Sequence, residues 1–155
     1  MPPDLQQLLP IIEEVPAYRQ LAVELEQSDG SPEVAVLDAA KPYLIASLYH
    51  RRPRAMLVVT AQPERAQQLY QQFLTWSADS RVMLFPEPDA PPNQPITSDN
   101  STELERLQVL SALADIAAED TPPSPPLVVT SAAALMQKTA PYHDFKAAGH
   151  TVRVG

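Results

Sequence analysis

Short runs of mainly apolar residues recur along this chain: Val34–Leu37, Ala55–Thr60, Val82–Phe85 and Leu127–Thr130. Each is followed, after a turn or a loop, by a stretch with helical spacing. A brief apolar run bounded by turn residues reads as a strand buried on both faces. Strands that alternate with amphipathic helices argue for an α/β fold built on a parallel sheet. The expectation is a three-layer domain with helices on both faces of that sheet.

The helices are legible in order. Leu5, Leu8, Leu9, Ile11 and Ile12 form an apolar patch that Pro10 kinks or splits. Pro16 opens a second helix that runs to about Gln27, with Tyr18, Leu21, Ala22 and Leu25 on one face; Ser28-Asp29-Gly30-Ser31-Pro32 ends it. After Val34–Leu37 comes a helix with Leu44, Ile45 and Leu48 inward, closed by Arg51-Arg52-Pro53-Arg54. The helix from Pro63 to about Ser77 carries Ala66, Leu69, Tyr70, Phe73, Leu74 and Trp76. Asp99 or Ser101 caps a long helix to Ala118 with Leu104, Leu107, Val109, Leu110, Leu113, Ile116 and Ala117 as its stripe. Ser131 caps a short helix from Ala132 to Lys138.

The eighteen prolines stiffen the connections, and five of them fall between Pro86 and Pro95, which makes that stretch an extended surface loop. Residues 119–126 form a proline-rich linker. His150-Thr151-Val152-Arg153-Val154 alternates like a strand with one buried face. The organisation expected is therefore an N-terminal helical extension at 1–15, an α/β domain at 16–141 and the start of a following domain at 142–155.

Charge and composition exclude several functions. With no cysteine, thiol catalysis and zinc–thiolate sites are ruled out, and a reducing, cytoplasmic location fits. The net charge of −8 suits a nucleic-acid-binding domain poorly. No apolar run approaches the ~20 residues of a membrane span.

The first strand, turn and helix occupy the place where a nucleotide-binding α/β protein holds its phosphate loop. That loop needs glycines so that backbone N–H groups converge on the phosphates, and it ends in Lys-Ser/Thr. Here the turn is Asp38-Ala39-Ala40-Lys41-Pro42. It has no glycine, its lysine precedes a residue without an N–H, and Asp38 repels phosphate. The position is a relic of a phosphate site and is not expected to bind a cofactor. Of the residues at the ends of the later strands only Glu87 is acidic, and its flanking prolines make it a poor magnesium holder. No catalytic and no metal-binding residue is assigned.

Other candidates have plainer readings. His50, His143 and His150 are scattered, and His143-Asp144 reads as a solvated pair. Ser131 follows a strand but lacks the G-x-S-x-G turn of a hydrolase nucleophile, so it reads as a helix cap. Arg51, Arg52 and Arg54 form the one basic cluster, able to meet an acidic partner or a phosphate backbone; a solvated helix end is the simpler reading. The proline loop is able to dock a partner in extended form, and more simply bridges two elements.

Taken in order, RAMLVVTAQPERAQQLYQQFLTW, VMLFPEPDAPP, STELERLQVLSAL and LVVTSAAALMQKTAP resemble the N-terminal domain of bacterial transcription-repair coupling factors, the Mfd family. That domain is similar to the first domain of UvrB, the damage-verifying subunit of the excision nuclease. The family's strand ending in Val-Thr is matched by Val58-Val59-Thr60, its Phe-Pro-acidic strand end by Phe85-Pro86-Glu87, and its Glu-Arg-Leu-x-x-Leu helix by Glu105 to Leu110. Val128-Val129-Thr130 and Ala134 to Gln137 match the last strand and helix. The chain departs from the pattern at Asp38-Ala39-Ala40, where a glycine often remains, and at Ala90-Pro91-Pro92-Asn93, where Leu-Pro-Tyr/Phe is usual.

The resemblance implies a degenerate RecA-like domain, P-loop NTPase-like and of UvrB domain 1a type, without enzymatic activity of its own. The parent would be an ATP-dependent DNA translocase that removes stalled RNA polymerase and recruits UvrA in nucleotide excision repair. Its ATP- and magnesium-dependent motor and its contacts to RNA polymerase and DNA would lie downstream. UvrA would be met mainly through the following domain, so no partner-binding residue is carried over. Two other readings stand beside this one: a working nucleotide-binding domain of UvrB or helicase type, and an acidic α/β signalling domain with Asp38 as its phospho-acceptor.

Overall fold

The computed structural model describes residues 5–27, 31–76, 81–88, 101–118 and 125–148. The turn at 28–30, the loop at 89–100, the linker at 119–124 and the strand expected at 150–154 lie outside the described residues. The protein is α/β, with a small, open, all-parallel sheet flanked by helices. A 3₁₀ helix, Gln6–Glu14, leads into α1 (Pro16–Gln27). A single 3₁₀ turn, Asp38–Ala40, precedes α2 (Lys41–Arg51). Then come β1 (Met56–Thr60), α3 (Pro63–Trp76), β2 (Val82–Phe85), α4 (Ser101–Ala118), β3 (Leu127–Ser131), α5 (Ala132–Met136) and α6 (Tyr142–Ala148).

The sheet has the order β1-β3-β2. Its register sets Met56 and Val82 on either side of Leu127, and Val58 and Leu84 on either side of Val129. Those residues face one side, where α2, α3 and the first 3₁₀ helix supply Ala46, Tyr49, Ala66, Leu69, Phe73 and Leu9 to the main core. The stripe expected of α3 is the one buried there, with Ala66, Leu69 and Phe73 at its centre. On the other side Met83, Phe85 and Val128 meet Val109 and Leu110 of α4 and Ala134 of α5. Leu9 is 2% exposed, and Tyr43 donates its hydroxyl hydrogen to the Leu8 carbonyl, so the N-terminal segment packs into the main core. Pro10 sits within the 3₁₀ helix, whose i→i+3 bonding forgoes one N–H donor there.

Four expectations change. Residues 31–37 have no regular structure, and Val34 and Leu37 are 49% and 81% exposed, so the first expected strand is not formed. Four apolar residues carry too little periodicity to tell a strand from an extended approach to a helix. In α2 the buried residues are Pro42, Ala46, Ser47 and Tyr49; of the expected Leu44-Ile45-Leu48 face, all three are half-buried and Ile45 packs against the main core, whose α2 centre is Ala46 and Tyr49. The strand β1 is half-buried on one face and exposed on the other, since it lies at the sheet edge and no described helix covers Leu57 and Val59. In α4 the buried positions are Arg106, Val109 and Ala112, while Leu104, Leu107 and Leu113 are exposed. Leucines on nearly every side of that helix hide which face meets the sheet.

Candidate functional site

The turn expected to be a relic phosphate loop follows irregular backbone and not a strand of the sheet, so it lacks the strand–turn–helix setting of such a loop. Asp38, Ala39 and Ala40 make the 3₁₀ turn, with the Ala40 N–H donating to the Leu37 carbonyl at 2.9 Å. Lys41 opens α2, and its Nζ lies 2.5 Å from Asp38 Oδ1. The hydrogen bond from Lys41, then its charge, then the charge of Arg65 hold the Asp38 carboxyl below its ordinary range. Arg65 Nη2 also reaches the Asp38 carbonyl at 3.5 Å. The lysine that would face a phosphate therefore faces a carboxylate. Pro42 is buried at the start of α2 and offers no N–H to an anion at that helix end.

A second feature lies at the carboxyl ends of β2 and β3, beside the first turn of α3. A cavity of about 390 Å³ is walled by Leu84, Phe85, Pro63 and Ala66 and carries Glu64, Glu87 and Ser131 at its polar side. In parallel α/β sheets this is the end where ligands enter. Ser131 is 2% exposed; its Oγ donates to Glu87 Oε1 at 2.8 Å and accepts from the Ala134 N–H at 3.0 Å. The serine, the last residue of β3, is a helix cap, as the sequence leads one to expect, and its hydrogen is engaged with a carboxylate. Glu87 is thus fixed by Ser131 at the cavity wall. A phosphate entering there would meet two carboxylates, Glu64 and Glu87.

Arg106 is the residue whose role the sequence conceals. It is 6% exposed, its Nη1 donates to the Pro86 carbonyl at 2.5 Å, and its guanidinium lies 4.0 Å from the Phe85 ring centroid. Burial pushes its pKa down, and the nearby Glu103 charge opposes that. Arg106 pins the backbone where β2 passes into the proline-rich loop. The sequence offers Arg106 only as a charged residue inside the apolar stretch of α4 and as the arginine of the Glu-Arg-Leu-x-x-Leu match, with no hint of what it holds. Thr130 makes a second tie there, donating its hydroxyl hydrogen to the Phe85 carbonyl at 2.9 Å.

The remaining candidates are not brought together. His50 is exposed in the last turn of α2, and His143 is exposed in α6 against the Tyr142 ring. Among the described residues no group of three or more His, Cys, Asp or Glu side chains is placed to hold a metal ion. Among them, too, no helix is long and apolar enough to cross a membrane. Arg51 lies 3.7 Å from Glu26 and 4.0 Å from Glu13, so it ties α2 to α1 and to the first 3₁₀ helix.

Compared with protein-family models, with curated proteins and with solved structures, the chain matches none.

Proposed function

We propose that this chain is a catalytically silent, degenerate RecA-like module of UvrB domain 1a type, belonging to a bacterial transcription-repair coupling factor. Its role is to help recruit UvrA to stalled RNA polymerase in nucleotide excision repair, in the cytoplasm. The observation that carries the reading is the turn before α2, where glycine is absent, Lys41 is paired with Asp38 and Pro42 replaces an N–H donor. The parallel sheet with helices on both faces is compatible with a RecA-like layout. The ordered likeness of β1, β2, α4 and β3 to the Mfd family supplies the biological setting.

In this reading the module works through protein contacts, and ATP and magnesium serve a motor elsewhere in the parent. The alternative, a working nucleotide domain, draws on the cavity at the carboxyl end of the sheet. Its carboxylates Glu64 and Glu87 and the occupied Lys41 favour the silent module. The test is retention of purified UvrA on the immobilised chain extended through the domain that follows it in the Mfd family. Retention is expected; no retention at micromolar UvrA would overturn the recruitment role.

A further inference from the structure

At the end of the sheet opposite the relic turn, a second cavity of about 230 Å³ opens between α1, α2 and the start of β1. Its apolar part comes from Ala22, Leu25, Leu48 and Met56; Ala22 is buried and the others are half-buried. Its charged part comes from Glu26, Arg51, Arg52 and Arg54. Glu26 and Arg51 face each other at 3.7 Å and largely cancel. Arg52 and Arg54 are exposed, and neither makes an ion pair or a side-chain hydrogen bond among the described residues. The result is an apolar hollow with two guanidinium groups at its mouth that no described carboxylate pairs, on a chain whose net charge is −8.

The geometry points to a docking site for an acidic peptide segment of a partner protein, one that inserts an aliphatic or aromatic side chain into the hollow and sets carboxylates against Arg52 and Arg54. The chemistry selects this occupant over others. Planar guanidinium groups bind carboxylates in bidentate fashion. An apolar anchor in a pocket rimmed by charge is the usual form of a peptide hot spot. A nucleic-acid backbone would gain from the arginines but leave the hollow empty. A solvated helix end, the plainer reading of the cluster, requires no hollow beneath it. The inference stands apart from the repair assignment, since it uses none of Asp38, Lys41 and Pro42, the turn that carries that reading.

The probe is a fluorescein-labelled octapeptide, Asp-Glu-Asp-Leu-Phe-Glu-Asp-Glu, followed by fluorescence anisotropy with the whole chain. Saturable binding is expected, weakening as salt is raised. The double variant Arg52→Glu/Arg54→Glu is expected to weaken it by about tenfold or more through loss and reversal of two charge pairs. Circular dichroism and thermal unfolding of that variant should match the parent chain, because both side chains are exposed. A peptide with Ser-Ser in place of Leu-Phe is expected to bind at least about tenfold more weakly, since an anchor of that size buries most of its apolar surface. Leu25→Gln should weaken the original peptide while leaving the serine peptide unchanged. The proposal is overturned if the parent chain does not bind the peptide, if the charge-reversed variant binds it equally well, or if the serine peptide binds as tightly. Arginine-dependent binding of a single-stranded oligonucleotide in place of the peptide would likewise overturn it, in favour of a phosphate-backbone site.

Discussion

Leu57-Val58-Val59-Thr60 in β1 and Leu127-Val128-Val129-Thr130 in β3 are the same tetrapeptide, and the two strands are neighbours in one sheet. They do not lie in phase. Leu57 pairs with Val128, so the two copies are displaced by one residue and present opposite faces. In β3, Leu127 and Val129 face α3 while Val128 and Thr130 face α4. Every residue of β3 is buried. In β1, Val58 faces α3, and Leu57 and Val59 turn to the other side, where they are 53% and 49% exposed. Identical side chains thus receive different environments from strand order and helix cover: β3 is central and β1 is an edge. Local sequence set the conformation of both strands, but the position of α4 decided which of them is enclosed.

The sharpest test of that contrast is a pair of charge insertions. Val129→Asp places an unpaired carboxylate in the core and should abolish cooperative unfolding, whereas Val59→Asp should cost less than about 1 kcal/mol in urea melts. Equal effects would mean that the bare face of β1 is covered in solution. The threonines form the next pair. Thr130→Val leaves the buried Phe85 carbonyl without its donor and should cost about 1–3 kcal/mol. Thr60→Val removes a hydroxyl whose shorter bond, to the Gln62 carbonyl at 2.7 Å, is exposed and whose second contact, to the Thr130 carbonyl, is long at 3.3 Å; it should cost less than about 1 kcal/mol. Ser131→Ala removes the cap that follows only the central strand and should lower stability by about 1 kcal/mol, with Ser131→Thr recovering most of it.

The smallest effect belongs to the turn before α2. Asp38 has a folded pKa below its unfolded value, so its pairing stabilises the protein above the unfolded pKa and loses that effect as pH falls through the folded one. In Lys41→Ala the Asp38 carboxyl should titrate at higher pH, as read by carboxyl-carbon NMR. An unchanged titration would show that Lys41 is free for another anion.

Much of this architecture was legible from residue pattern. The bounds of α1, α3 and α4, the strands β1, β2 and β3, and the cap at Ser131 follow from proline positions, β-branched runs and a hydroxyl after a strand. What the pattern hid was tertiary. Val34–Leu37 looks as strand-like as Val82–Phe85, yet only the latter finds a partner in β3. The stripe of α4 was misplaced because Leu104 and Leu107 have the right spacing on the wrong side, while Arg106 is enclosed by Phe85 and the Pro86 carbonyl. That the turn from Asp38 to Pro42 has no glycine and a proline after its lysine is plain in the sequence. The pairing of Lys41 with Asp38, the tie between Glu87 and Ser131, and the hollow under Arg52 and Arg54 required the packed chain.

The central claim is that the turn before α2 does not bind nucleotide, and calorimetric titration of magnesium-ATP into the 155-residue chain tests it directly. No saturable heat up to millimolar nucleotide is the result expected of a silent module. Binding in the micromolar range, lost in Lys41→Ala, would contradict the account and move a motor or switch function to the front.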